Sequence, residues 1–140
     1  MLFLLVVLTS SKLLFDDEFN KFDFSKWKHD ITLSGGGNWE FELYENNRST
    51  SFVKDGMLNI KPVLTEDKIG AEHVRNGYDY NIWGGTPADR CTMNAFYGCE
   101  RASNGNNYIN PVMSAKINAS THATTLIGLV KSQFKGILLV

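Results

Sequence analysis

The residues best suited to chemistry lie in the segment 38–44, where amide and carboxylate groups alternate with aromatic rings. An aromatic ring can stack on the apolar C–H face of a sugar, and polar neighbours can hydrogen-bond the sugar hydroxyls. Strand alternation would divide this stretch into two faces: Trp39, Phe41 and Leu43 on one, and Glu40, Glu42 and Tyr44 on the other. The pattern favours a carbohydrate-binding surface, in which Glu40 and Glu42 are ligand contacts or a solvated edge. Most phenylalanines of the chain are expected to fill its core.

Composition limits the classes of partner. The chain has 140 residues, which favours one domain, and its hydrophobic content of 43% is ordinary for a globular protein. Fourteen basic and fifteen acidic residues give a net charge of −1, without a basic cluster. A nucleic-acid partner is therefore not expected, because phosphate binding needs a positive stripe.

Several features predict a secreted chain. The first eight residues are apolar and are followed by small residues, so we interpret residues 1–11 as a signal peptide; a hydrophobic first strand is the alternative. No stretch is long enough to predict a membrane span. Cys91 and Cys99, the only cysteines, predict a disulfide in an oxidising compartment, with two free thiols as the alternative. Glycosylation triplets begin at Asn47 and Asn118.

The elements that must position these residues are mostly strands, so the predicted fold class is all-β. A short strand is expected at Leu13–Phe15, and a hairpin at 51–60 that reverses at Asp55-Gly56. Pro62 should end this hairpin. A short helix is predicted within 65–74, and residues 84–110 read as one long Gly/Asn-rich loop.

Four blocks carry a resemblance to a known family: FDDEFNKFDFSKWKHDITLSGGGNWEFELYENNRS, VKDGMLNIKP, WGGTPADRCTMNAFYGCER and NPVMSAKI. They resemble the N-terminal part of the family-16 glycoside hydrolases, in the branch of invertebrate β-1,3-glucan-binding proteins and β-1,3-glucanases. The resemblance implies a partial β-jelly-roll sandwich with a concave glucan cleft over residues 12–117, the C-terminal half being missing. Residues 118–140 then form a divergent tail.

The resemblance also assigns candidate site residues. It places Asn38, Trp39 and Glu40 at the rim of the cleft, although the alternation equally suits Trp39 to the core. Asn46, Asn47 and Arg48 form a polar patch that is either part of the cleft or a turn, and Trp83 is a further stacking candidate. The implied partner is β-1,3-glucan or a related polysaccharide.

One metal is implied as well. Relatives often hold a structural calcium ion near the N-terminus, which makes Glu18 a candidate ligand; plain solvation is the alternative, because calcium needs several oxygen ligands. No other cofactor is expected.

A catalytic function is not supported by the carboxylates of this chain. Family members carry an E-x-D-x-x-E motif whose alternation places a nucleophile and an acid/base on one face of a strand. No such spacing occurs here, and the nearest cluster, Glu66-Asp67 with Glu72, has the wrong separation. We therefore expect no glycoside hydrolysis by this chain. Three alternatives remain: a non-catalytic glucan-recognition module, part of a β-1,3-glucanase whose catalytic half lies elsewhere, and an inactive fragment.

Overall fold

The computed structural model of the protein describes residues 15–35, 38 and 40–120. Strands dominate the described residues, with two short helices between them: β1 (Trp27–Asp30), β2 (Glu42–Tyr44), β3 (Ser51–Lys54), β4 (Met57–Ile60), β5 (Val63–Leu64), α1 (Glu66–Ile69), α2 (Ala71–Arg75), β6 (Asn76–Asn81), β7 (Glu100–Asn104), β8 (Val112–Ser114) and β9 (Lys116–Ala119). The predicted all-β class is confirmed.

The hairpin of β3 and β4 forms where the sequence predicts it. Lys54 pairs with Met57, and Asp55 and Gly56 between them have φ angles of 53° and 70°. Positive φ at both central residues is the geometry of a type I′ turn, which matches the twist of the flanking strands. The strand β4 ends at Ile60, before Pro62, as expected.

The remaining strands pair over long sequence separations. Strand β1 is antiparallel to β9, and β6 is antiparallel to β7. Strand β8 lies between β2, to which it is parallel, and β5, to which it is antiparallel. Within residues 15–35, 38 and 40–120, the strands therefore form four sheets of two or three strands. Sheets this narrow leave backbone groups on their edges unpaired.

The core is small and largely aliphatic. It contains Leu33, Leu43, Tyr80, Ile109 and Met113, each no more than 4% exposed. The expectation that phenylalanines fill the core is wrong for the described residues, because none of their phenylalanines is fully buried and several are exposed. Trp27, the first residue of β1, is buried, and the rings of Phe15 and Phe19 lie 5.4 and 5.7 Å from its ring.

Three further expectations about elements are corrected. Phe41 is 72% exposed and does not share the buried face of Leu43, because the chain bends at Phe41 before β2 begins. The predicted loop 84–110 contains β7, whose alternation is weak but which pairs with β6 along five registered positions. The predicted strand at Leu13–Phe15 lies outside the described residues except for Phe15, which is irregular.

The domain boundary after Ile117 stays a prediction. The boundary placed after Ile117 falls inside β9, and the pairing with β1 continues to Ala119. The predicted short helix between residues 65 and 74 is confirmed as two helical turns, α1 and α2, separated at Gly70, whose φ is 88°. The predicted signal peptide and the residues after 120 lie outside the described part of the chain.

Candidate functional site

A hydrogen-bonded group of three side chains occupies the segment that the sequence singles out. The Glu40 carboxylate accepts one bond from Asn38 Nδ2 at 3.3 Å and another from the Tyr44 hydroxyl at 2.9 Å. Burial, and then the hydrogen bond to Glu40, raises the pKa of the Tyr44 hydroxyl, so it remains a protonated donor. Glu40 and Tyr44 therefore share one face, as the alternation predicts.

The backbone of this segment turns tightly at Gly35. The Gly35 carbonyl accepts hydrogen bonds from the backbone N–H groups of Asn38 and Glu40, each at 3.2 Å. Gly35 has a φ of 63°, and a Cβ atom there would overlap the backbone of Glu40. A glycine is required at this position, because only a residue without a side chain fits both constraints.

The buried side chain of Asn110 holds both ends of the segment. Its Nδ2 donates to the carbonyl oxygen of Leu33 at 3.2 Å and to that of Glu42 at 2.9 Å. Its Oδ1 accepts a hydrogen bond from Arg101. Asn110 is thus a positioning residue for Asn38 and Glu40, which lie between the two carbonyls that it binds.

Arg48 forms a second group with Asn46 and aromatic rings. Its guanidinium donates to Asn46 Oδ1 and lies 4.6 Å from the centre of the Phe22 ring and 5.3 Å from that of Phe24. The guanidinium also approaches His29 Nε2 at 3.3 Å. The polar patch of Asn46 and Arg48 is therefore a built cluster at the start of the β3 hairpin.

The imidazole of His29 is neutral in this cluster. It is 8% exposed, and its Nε2 also lies 2.8 Å from the Ser51 hydroxyl. Burial, followed by the positive charge of Arg48, lowers the pKa of His29 to about 4. Because a guanidinium only donates, Nε2 must accept, which assigns the ring proton to Nδ1.

Trp83 belongs to a third group at the end of β6. Its indole Nε1 donates to Glu100 Oε2 at 3.2 Å, and Asn81 Nδ2 donates to the same oxygen at 2.9 Å. The ring is 49% exposed. An exposed indole beside an amide and a carboxylate suits stacking on a sugar, and its role stays a prediction.

The predicted residues thus belong to three hydrogen-bonded groups. Asn38 lies with Glu40, Asn46 lies with Arg48, and Trp83 lies with neither pair. Trp39 is outside the described residues. Glu18 is exposed, and the described ranges contain no group of three or more His, Cys, Asp or Glu side chains that could hold a metal ion. A calcium site at Glu18 stays a prediction.

Four further carboxylates lie outside these three groups. Glu66 and Asp67 lie in the first turn of α1, and Glu72 lies in α2. Glu45 is bound on both oxygens by Lys68 Nζ, at 2.9 and 2.6 Å, and accepts a further bond from the Tyr80 hydroxyl. Glu45, Lys68 and Tyr80 line a pocket of about 180 Å³. Because their polar groups are hydrogen-bonded to one another, we interpret them as a structural cluster.

The predicted disulfide is confirmed between Cys91 and Cys99, whose Cα atoms are 5.5 Å apart. Of the two glycosylation triplets, the one at Asn118 is exposed on β9, where Asn118 Nδ2 donates to Asp30 Oδ1 at 2.8 Å. Asn47 is half-buried, and its Oδ1 accepts the backbone N–H of Ser49 at 2.9 Å. The described residues include no helix long and apolar enough to cross a membrane.

Sequence reasoning missed the positioning residues. The alternation placed Tyr44 with Glu40, but it did not predict the hydrogen bond between them. His29, Phe22 and Phe24 carry no local signal of their contact with Arg48. Asn110 lies more than sixty positions from the segment that it holds, so no sequence window could have connected them.

The described strands and exposed polar–aromatic groups define an all-β protein with a surface suited to polyhydroxylated ligands. Sequence comparison finds relatives of this chain that are named as glucan-binding proteins. The chain is 40% identical over 124 residues to the beta-1,3-glucan-binding protein of Penaeus monodon. The matched region covers 88% of this chain and 34% of that protein. It is 31% identical over 125 residues to beta-1,3-glucan-binding protein 1 of Galleria mellonella, covering 86% of this chain and 23% of that protein. These matches relate the chain to a family of glucan-binding proteins.

A third relative is also named a beta-1,3-glucan-binding protein. The chain is 27% identical over 96 residues to beta-1,3-glucan-binding protein 2 of Manduca sexta, covering 68% of this chain and 18% of that protein. The chain spans about a third of the length of the Penaeus relative and less of the other two. No family model and no solved structure matches it.

Proposed function

We propose that this chain binds β-1,3-glucan at the group formed by Asn38, Glu40 and Tyr44. The observation that carries the proposal is the Glu40 carboxylate, which two neighbouring side chains hold in place at the surface. A carboxylate has about four lone-pair positions, so two internal bonds leave acceptors for sugar hydroxyls. Fixing the group before binding lowers the entropy lost on association.

The ring of Trp39, next to this group in the sequence, and the exposed ring of Trp83 are the proposed stacking surfaces. A pyranose presents an apolar C–H face and polar edges, so a ring and a fixed carboxylate recognise complementary parts of it. Asn46 and Arg48 supply a second polar surface, whose guanidinium is already held by Asn46 and the Phe22 ring. Each group is small, and weak binding per sugar is expected from the isolated chain.

The names of the relatives support glucan as the ligand. The four sequence blocks support the finer proposal that the chain is the front part of a family-16 glycoside hydrolase-like domain. The Cys91–Cys99 disulfide supports secretion, because disulfides persist in oxidising compartments. Recognition in defence or carbohydrate sensing is the role that these features support best.

We further propose that the chain hydrolyses no glycoside. Retaining hydrolysis needs two carboxyl groups about 5 Å apart, one to attack and one to protonate the leaving oxygen. The hydrogen-bond partners of Glu40 are Asn38 and Tyr44, and Glu45 is bound by Lys68, so neither carboxylate is paired with a second one. Release of reducing ends from laminarin tests this: turnover above a heat-killed control that Glu40→Gln abolishes would contradict the proposal.

Binding itself is tested by titrating laminarin into the secreted chain by calorimetry. Glu40→Gln and Asn38→Ala should each weaken binding about tenfold or more, because a hydrogen bond to a charged group contributes about 1.5–3 kcal/mol. Asp79→Asn is the matched control, at an exposed carboxylate on β6 that belongs to none of the three groups. Equal affinity in all four proteins would remove Asn38 and Glu40 from the binding surface.

A further inference from the structure

We propose that Trp83, Asn81 and Glu100 form a second sugar-binding subsite, in which the Glu100 carboxylate selects neutral glucans against acidic polysaccharides. The inference rests on the proposed function, which gives the Trp83 ring a stacking role, and adds a residue that determines specificity. The subsite lies at the end of the β6–β7 pair, where Asn81 and Glu100 are paired across the two strands. All three residues are exposed, so a ligand can reach them.

The Glu100 carboxylate uses only one of its oxygens within the described part of the chain. The Trp83 indole Nε1 and the Asn81 Nδ2 both donate to Oε2, at 3.2 and 2.9 Å. No side chain of the described residues donates to Oε1. A carboxylate oxygen has about two lone-pair positions, so Oε1 can accept the hydroxyls of a sugar that stacks on the adjoining indole.

The backbone that carries the Trp83 ring is fixed. Its N–H donates to Asn81 Oδ1 at 3.1 Å. The preceding residue, Ile82, donates its N–H to the Cys99 carbonyl at 2.9 Å and accepts the N–H of Cys91 at 3.1 Å. The two bonded cysteines therefore hold the chain immediately before the ring. A ring that is oriented before binding loses less conformational entropy on association.

The charge of Glu100 is not neutralised by a cation in the described ranges. Its hydrogen-bond donors are an indole and an amide, and it forms no salt bridge with a Lys or Arg of those ranges. The guanidinium of the adjacent Arg101 donates instead to Asn110 and to the Phe96 carbonyl. A sugar hydroxyl at Oε1 would gain a charge-assisted hydrogen bond, whereas a carboxylate or sulfate on the ligand would meet a like charge.

The same arrangement occurs at Glu40, which is also held by two uncharged donors. Glu45, in contrast, is paired with Lys68 Nζ at 2.6 Å. The chain thus pairs a carboxylate with a cation in its structural cluster, but at neither proposed sugar contact. Both contacts therefore disfavour acidic ligands, and Glu100 does so beside a ring on which a sugar can stack.

The test compares laminarin with carboxymethylated laminarin, which carries added carboxylates, on the full chain. The variant is Glu100→Gln, which keeps an oxygen for the indole and amide donors but removes the charge. Glu72→Gln is the matched control, at an exposed carboxylate on α2. Trp83→Phe, which leaves Glu100 in place, tests the ring separately. Calorimetry measures the affinities, tryptophan fluorescence reports contact with the ring, and circular dichroism establishes that each variant is folded.

We expect the unmodified chain to bind laminarin about five- to twentyfold more tightly than the carboxymethylated form at low salt. Glu100→Gln should lower this ratio about threefold or more, because it weakens the bond to the hydroxyl and removes the repulsion. Glu72→Gln should leave the ratio within about twofold. Laminarin should also change the tryptophan emission, and Trp83→Phe should remove part of that change.

A ratio that Glu100→Gln leaves unchanged, or that Glu72→Gln lowers equally, would overturn the selection by Glu100. A fluorescence change that is identical in Trp83→Phe would overturn the subsite itself. Either result leaves the proposed function intact when Glu40→Gln still weakens laminarin binding. Failure of the unmodified chain to bind laminarin would overturn the proposed function and this inference together.

Discussion

The side-chain amide of Asn110 donates a hydrogen bond to the carbonyl oxygen of Leu33 at 3.2 Å, across 77 positions of sequence. The same amide also binds the carbonyl of Glu42, so one buried side chain fixes both ends of the segment that carries Asn38 and Glu40. The geometry of the proposed sugar contacts therefore depends on a residue that need not touch the sugar.

Replacing this residue should lower both stability and affinity. Asn110→Ala leaves two carbonyls and the Arg101 guanidinium without their buried partner, so the free energy of unfolding should fall by about 2–4 kcal/mol. Urea unfolding measures the change. Asn106→Ala, at an exposed turn residue, should stay within about 0.5 kcal/mol. A loss below 1 kcal/mol for Asn110→Ala, about that of one hydrogen bond, would show that the amide does not hold the segment.

The buried imidazole predicts a specific pH dependence. The pKa of His29 is about 4 in the folded chain against 6.5 for a solvated histidine, so between these values the unfolded chain binds a proton that the folded chain does not. The free energy of unfolding should therefore fall as the pH drops from 6.5 to 4, by about 1–2 kcal/mol once solvent screening is allowed for.

Urea unfolding across this pH range, in the native chain and two variants, measures the effect. His29→Gln should flatten the slope within the window, whereas His73→Gln, a change at an exposed histidine, should leave it intact. A slope that survives His29→Gln unchanged would assign the proton uptake to other groups.

The disulfide should contribute a moderate share of stability. Converting Cys91 and Cys99 together to alanine removes a bridge across 8 positions, which in the chain-entropy treatment is worth about 2.5 kcal/mol. Thermal unfolding of the paired variant and of the reduced native chain should agree within error. If neither differs from the oxidised chain, the loop is held by its hydrogen bonds alone.

The two glycosylation triplets should differ in occupancy. Asn118 is exposed, whereas the half-buried Asn47 holds the Ser49 N–H through its side chain, and its carbonyl accepts the Ser51 N–H at 2.9 Å. A glycan on Asn47 would have to displace this turn. In a secretory host, Asn118→Gln should remove the glycan mass that glycosidase treatment releases, and Asn47→Gln should leave it. The reverse result would show that the Asn47 turn opens before modification.

Local features of the fold could be predicted from the sequence. The Asp55-Gly56 reversal, the stop before Pro62 and the Cys91–Cys99 pairing depend on residues close together in the chain, and all three are confirmed. The exposure of Phe41 was not predictable from alternation, since a bend precedes β2.

Long-range features of the fold could not be predicted from the sequence, because they depend on residues far apart in the chain. The parallel pairing of β2 with β8 and the contacts of Asn110 join distant segments. Neither segment contains a sequence pattern that predicts the other as its partner. Asn38 and Glu40 are hydrogen-bonded neighbours within the segment that the pattern singled out, whereas the contacts of Asn110 could not be predicted from any pattern. Sequence patterns locate the chemical groups, and tertiary packing decides which of them meet.

The pairing of β1 with β9 has a consequence for biosynthesis. Asp30 and Asn118 are bonded across 88 positions, so β1 leaves the ribosome long before its partner exists. At about 5–20 residues per second, the wait is roughly 4–18 s, during which Trp27 and both edges of β1 are open to other chains. Chaperones that bind nascent chains should therefore bind mainly at β1, and misassembly should also begin there when synthesis is faster than chaperone binding. The β3–β4 hairpin, in contrast, closes within microseconds of leaving the ribosome.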